Sequence, residues 1–123
     1  MPDMKYSSDT LGCRYSNVPD YFTVASQALS EMYKQVGEPI YKNGIMLRGL
    51  FIRHLVLPGM NADSIAVLDW IKENTPLAGV SLMAQFTPQY KASDYKEINR
   101  RLLTKEYREV ASHFKIIGLC TNT

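Results

Sequence analysis

Arg53 and His54 stand side by side in "GLFIRHLVLPGMN", the stretch from Gly49 to Asn61. Around them Phe51, Ile52, Leu55, Val56 and Leu57 make an apolar, β-rich run closed by Pro58-Gly59, the pattern of a strand covered on both faces. A guanidinium in such a place is costly unless a carboxylate, a phosphate or a polar ligand takes up its five donors. Three other places could answer it. Asp3 and Lys5 are two apart, so on an extended chain both point to one face. Gln85 and Phe86 close a third strand-like run, "VSLMAQF". If the strands lie parallel, these ends converge and could hold a small polar molecule. The alternative left open is that Asp3 pairs with Arg53 and only fixes the strands.

On the strand, Arg53 shares a face with Phe51, Leu55 and Leu57, while His54 points the other way with Ile52 and Val56. His54 is therefore expected as a packed, hydrogen-bonded core residue. His113, beside Ser112 on the last helix, is expected at the solvated surface. The methionines at 32, 46, 60 and 83 share no spacing and read as core filler.

The elements that must position these groups follow from periodicity. A helix is predicted from Asp20, on Val24, Ala25, Ala28, Leu29, Met32 and Val36, until Gly37 and Pro39 stop it. A strand around Leu50 to Leu57 comes next. A second helix follows, capped by Asn61, favoured by Asp63 and lined by Ile65, Leu68 and Ile71; it ends near Asn74. Gly79 opens the next strand, and a short helix is expected over 94–102. Thr104 caps a last helix whose Tyr107, Val110, Ala111, Phe114 and Ile117 share a face up to Gly118. With "PDMKY" as the tail of an N-terminal strand, the alternation gives βαβ units and a parallel sheet. Three strands are too few to close a barrel, and the abrupt start reads as the second half of something larger.

The chain has 123 residues, 46% hydrophobic and 21% charged, which suits one globular domain over 1–123. A net charge of +2 with scattered lysines and arginines offers no basic stripe for nucleic acid. No window approaches the ~20 apolar residues of a membrane span, and the start has no apolar run for a secretory signal, so a cytoplasmic protein is expected. Cys13 and Cys120 have neither the density of a disulfide scaffold nor the spacing of a metal knuckle, and read as free thiols.

Taken together, "PDMKY", "RYSNVPDYFTVASQALSEMYKQVG", "LFIRHLVLPG" and "VSLMAQFTPQY" resemble the C-terminal half of radical S-adenosylmethionine proteins of the pyruvate formate-lyase-activating-enzyme type. The resemblance runs nearly the whole chain, to about Gly118. It implies an α/β fold of about three parallel strands with covering helices, one half of a partial (β/α) barrel. It also implies S-adenosylmethionine as cofactor beside a [4Fe–4S] cluster held by a CxxxCxxC loop. Asp3 and Lys5 match the family's D-x-K at the end of its fourth strand, which contacts the cofactor's ribose and methionyl end. Arg53 matches the supporting arginine of the fifth strand, with the backbone at Leu55 against the adenine, and Gln85 and Phe86 stand at the cofactor-facing end of the sixth. By this resemblance Arg53 complements a zwitterionic ligand and acidic neighbours.

The departures are as informative. No CxxxCxxC occurs in the sequence, and two cysteines cannot replace three convergent thiolates, so the expectation is a chain from which the cluster-binding N-terminal half is absent. Phe86 stands after Gln85 where related activases carry a histidine. The expectation is a fragment with no catalytic residue of its own, silent alone. In a whole enzyme it would help cleave S-adenosylmethionine reductively to a 5′-deoxyadenosyl radical and so activate a glycyl radical enzyme such as formate acetyltransferase. Its expected partners are the missing half, that target enzyme and, for the isolated chain, a second copy in a homodimer. Two rival readings are a barrel fragment of an anion-binding metabolic enzyme using Lys5 and Arg53, and a non-catalytic half-barrel interaction module.

Overall fold

A computed structural model describes residues 2–16, 18–37, 39–84 and 102–119. The elements run α1 (Asp9–Ser16), α2 (Tyr21–Val36), β1 (Ile40–Lys42), β2 (Ile45–Arg48), β3 (Phe51–Leu55), α3 (Asn61–Asn74), β4 (Gly79–Met83) and α4 (Thr104–Ile117). β3 and β4 pair in parallel, with Ile52 opposite Val80, Arg53 opposite Ser81 and Leu55 opposite Met83. On the other side of β3 the N-terminal segment joins by one parallel bridge, Asp3 to Arg53. Arg53 N–H donates to the Pro2 carbonyl and Met4 N–H to the Arg53 carbonyl, both at 2.9 Å.

An α/β fold with a parallel sheet is therefore as expected, with β1 and β2 forming a separate antiparallel pair, but the three parallel strands are corrected to two strands and a bridge. The physical reason lies at Met4. Its carbonyl, next in line for a ladder bond, is held instead by the ring of His54, Nδ1 to O at 2.7 Å.

Burial alternates along β3. Ile52, His54 and Val56 are buried, Phe51 and Leu55 are half-buried and Arg53 is exposed. The strand is thus covered fully on one face, not both as its composition suggested; the apolar residues of the open face made a one-sided strand look two-sided. On the covered face Met4, Ile52, Val56 and Val80 meet Leu29 of α2, Val67, Leu68 and Ile71 of α3 and Val110 of α4. Burying each of these side chains is worth roughly 1.5–3 kcal/mol, and that fixes the strands against the helices.

The helices begin a residue away from their expected caps. Asn61 and Thr104 are the first helical residues of α3 and α4, whose cap positions are Met60 and Leu103, and neither cap supplies a side-chain bond. At α4 the cap backbone is served from inside the helix, Leu103 N–H donating to Glu106 Oε1 at 2.9 Å. Glu106 Oε2 also accepts from Gly59 N–H, so one carboxylate ties the loop after β3 to the start of α4. Gly118 ends α4 with φ 72, the left-handed region open to glycine. On α3 the buried face is Ser64, Val67, Leu68 and Ile71, with Ile65 half-buried.

Two elements stand beyond the sequence reading. The β1–β2 hairpin turns on Asn43 (φ 54) and Gly44 (φ 79), the pair of positive dihedrals that Asn-Gly favours. Helix α1 packs on α2 so closely that a Cβ on Gly12 would lie 2.3 Å from Tyr21 Cβ. Met32 is 39% exposed, so it is not core filler, whereas Met4, unremarked in the pattern, is fully buried. The helix expected over 94–102 lies outside the described residues save for Leu102, which is not helical. No helix among the described residues is long and apolar enough to cross a membrane.

Candidate binding strip on the open sheet face

Parallel pairing puts register partners on the same face, so the bridge and the β3–β4 register set Asp3, Arg53 and Ser81 in one row across the open face. Arg53 Nε donates to Asp3 Oδ1 at 2.6 Å, with the two side chains 44% and 38% exposed. Arg53 is thus a half-exposed guanidinium, not a buried one. One of its five donors is spent on Asp3, and at such exposure the pair contributes only about 0–1 kcal/mol to stability. The strands do not depend on it; the covered face holds them.

One row further on, Leu55 of β3 lies opposite Met83, both half-buried, at the carboxyl ends of the strands. Lys5, two residues past Asp3, has an exposed side chain, while its backbone N–H donates to Tyr21 Oη at 2.7 Å. Of the residues singled out in the sequence, the structure joins Asp3 and Arg53 directly and leaves Lys5 on the same side of the chain. Gln85 and Phe86 lie outside the described residues. Ser81 was missed, because only the register of β4 against β3 reveals it.

His54 sits behind the strip on the covered face and is 2% exposed. The Met4 carbonyl can only accept, so Nδ1 carries the proton; Nε2, 2.8 Å from Ser64 Oγ, then accepts from that hydroxyl. Burial pushes the His54 pKa down, with the Met4 bond and the charge of Asp63 acting in the opposite direction. The ring is therefore a neutral strut tying the N-terminal segment and α3 to β3, as its alternation implied. Beside it Asp63 accepts from Ser7 N–H at 3.1 Å and from Ser7 Oγ, fastening the loop that leaves Lys5 to the first turn of α3. His113 lies at the surface as expected, its side chain 26% exposed, and its Nε2, 2.6 Å from Asp69 Oδ1, also bridges α4 to α3.

Two concavities, one lined by Ser26, Glu31, Lys34, Trp70 and Asn74 and the other by Asp9, Cys13, Arg14 and Pro19, include none of the strip's residues. Chemically the strip offers a carboxylate and a guanidinium side by side, a hydroxyl and an ammonium nearby, and apolar surface from Leu55 and Met83. That donor set fits a small zwitterion with an apolar portion. It does not fit an iron–sulfur cluster. Cys13 is exposed on α1, Cys120 lies outside the described residues, and among the described residues no three His, Cys, Asp or Glu side chains converge as metal ligands.

No family model matches the chain, and no solved structure matches it. Over 109 residues the chain is 31% identical to an uncharacterized protein of Methanocaldococcus jannaschii; the alignment takes in 86% of this chain and 28% of that protein. The chain therefore spans less than a third of the length of the curated relative it matches.

Proposed function

We propose that this chain is the cofactor-facing wall of a radical S-adenosylmethionine enzyme of the glycyl-radical-enzyme-activase type, and that S-adenosylmethionine lies along Asp3, Lys5, Arg53 and Leu55. The observation that carries the reading is the Asp3–Arg53 pair, half-exposed and adjacent at 2.6 Å on the open face of parallel strands. Opposite charges held side by side complement the ammonium and carboxylate of the cofactor's methionyl end, and Leu55 and Met83 give its adenosyl portion an apolar floor. The motif resemblance supports the same reading, since the residues in the strip are those that match the family's D-x-K and strand-five arginine.

In this reading the open face is the interior of a partial barrel. Phe51, Leu55 and Met83 are left half-buried on it, and the opposite wall comes from residues outside this chain. When bound, S-adenosylmethionine supplies the chemistry, reductive cleavage of its sulfonium, and the cluster that drives it belongs to that other wall. This chain's own residues bind and orient: Asp3 holds Arg53 in place, Arg53 fixes an anionic group, and the sheet keeps both at set spacing. The enzyme is cytoplasmic in this reading, and its target is a glycyl radical enzyme.

The test is a titration of the chain with S-adenosylmethionine to millimolar concentration, followed by backbone amide chemical shifts. Shifts clustered at Asp3–Lys5 and Arg53–Leu55 are expected. Shifts confined to the groove around Trp70, or none, would contradict the reading.

A further inference from the structure

Arg53 is flanked unequally. Asp3 lies on one side of it in the row and Ser81 on the other, each one strand away, roughly 4.8 Å by the spacing of a sheet. The Asp3 carboxylate already takes Arg53 Nε. An incoming anion on the guanidinium meets like charge on the Asp3 side and none on the Ser81 side. Ser81 is half-buried, and its hydroxyl has no hydrogen-bond partner among the described residues. Its neighbours in β4, Gly79, Val80, Leu82 and Met83, carry no polar side chain, so among β4's side chains that hydroxyl is the donor for an anion there.

We infer that Ser81 is a specificity-determining residue of this strip, donating to the carboxylate of an α-amino-acid ligand that Arg53 also binds, and that the row orients the zwitterion with its ammonium at Asp3. This rests on the proposed binding of S-adenosylmethionine to the strip and adds to it a third contact and a direction. The row is a graded set across three chain segments: a carboxylate for the ammonium, a guanidinium that donates to Asp3 and to the ligand's carboxylate, and a neutral donor that completes that carboxylate's hydrogen bonds without competing for Arg53. A ligand that keeps the adenosyl portion and lacks the amino-acid end gains nothing from Ser81.

The experiment compares S-adenosylmethionine with methylthioadenosine, which lacks the amino-acid end, on the wild-type chain, Ser81→Ala and Ser81→Thr, by amide shift titration. Ser81→Ala is expected to weaken S-adenosylmethionine by about tenfold, the usual worth of a hydrogen bond to a charged group, and to leave methylthioadenosine within twofold. Ser81→Thr keeps the hydroxyl and is expected to restore most of the loss. If Ser81→Ala leaves S-adenosylmethionine unchanged, or weakens both ligands alike, the inference is overturned while the proposed function stands. A wild-type chain that binds neither ligand would overturn both.

Discussion

His54 and Arg53 are neighbours with opposite duties, and each can be tested at the residue scale. Burial lowers the His54 pKa below the ordinary ~6.5, so between the two values the unfolded chain binds more protons than the folded one. Stability from this group is full above about pH 6.5 and declines as the pH falls, by no more than about 1.4 kcal/mol per pH unit. Urea midpoints at pH 7.5 and 5.5 should differ in the wild type, and the difference should shrink in His54→Ala. That variant also leaves the Met4 carbonyl and Ser64 without their partner, at an expected cost of about 2–4 kcal/mol at pH 7.5. Equal acid sensitivity in both proteins would exclude His54 as the titrating group. Arg53→Ala, by contrast, removes a half-exposed ion pair, and should change stability by less than about 1 kcal/mol.

At the scale of the element, Gly12 marks a close contact between α1 and α2. An alanine there meets Tyr21 at its own Cβ, which no side-chain rotation can relieve, so Gly12→Ala should force α1 off α2 and cost about 1–3 kcal/mol. A thermal midpoint equal to wild type would show that α1 adds little. The strands and helices with a clear period, β3, β4, α2, α3 and α4, could be read from the sequence to within a few residues, because tertiary packing uses the faces their spacing creates. Helix α1, "DTLGCRYS", is only eight residues long, too short for its face to stand out as a period; it is held by Gly12 against Tyr21 and by Asp9 accepting from Thr23 N–H and Oγ, contacts with the next helix. The hairpin's signal is the two-residue turn Asn43-Gly44, which sets no helical or long-strand period. Of the site, Asp3 and Arg53 were legible as charged residues in strand-like runs, although Arg53 sits at the centre of β3 and not at its end, whereas Ser81 is an ordinary serine until the register places it beside Arg53.

At the scale of the molecule, the open sheet face sets the behaviour of the isolated chain. Its outer edges are partly covered by tyrosines: Tyr21 Oη accepts from Lys5 N–H at 2.7 Å, and Tyr107 Oη reaches the Leu82 carbonyl at 3.5 Å. Edge-to-edge strand addition is therefore disfavoured, and burial of the half-exposed Phe51 and Leu55 against a second copy is the simpler association, one that millimolar S-adenosylmethionine bound to the same face should dissociate. Light scattering at micromolar concentration should report a dimer or larger species; a monomer would show that the face is covered from within. Anaerobic reconstitution with iron and sulfide should leave the chain colourless, since two cysteines cannot supply three convergent thiolates. A stoichiometric cluster absorbance would contradict that reasoning.

The binding strip itself is most directly tested by the affinity of the wild-type chain and of Arg53→Ala for S-adenosylmethionine, measured side by side by amide shift titration with urea midpoints as a control for folding. Loss of a charged hydrogen-bonding partner should weaken binding by roughly 1.5–3 kcal/mol with the midpoint nearly unchanged. Equal affinity in the two proteins would mean that Arg53 serves only its pairing with Asp3 and that the open face is not a cofactor wall.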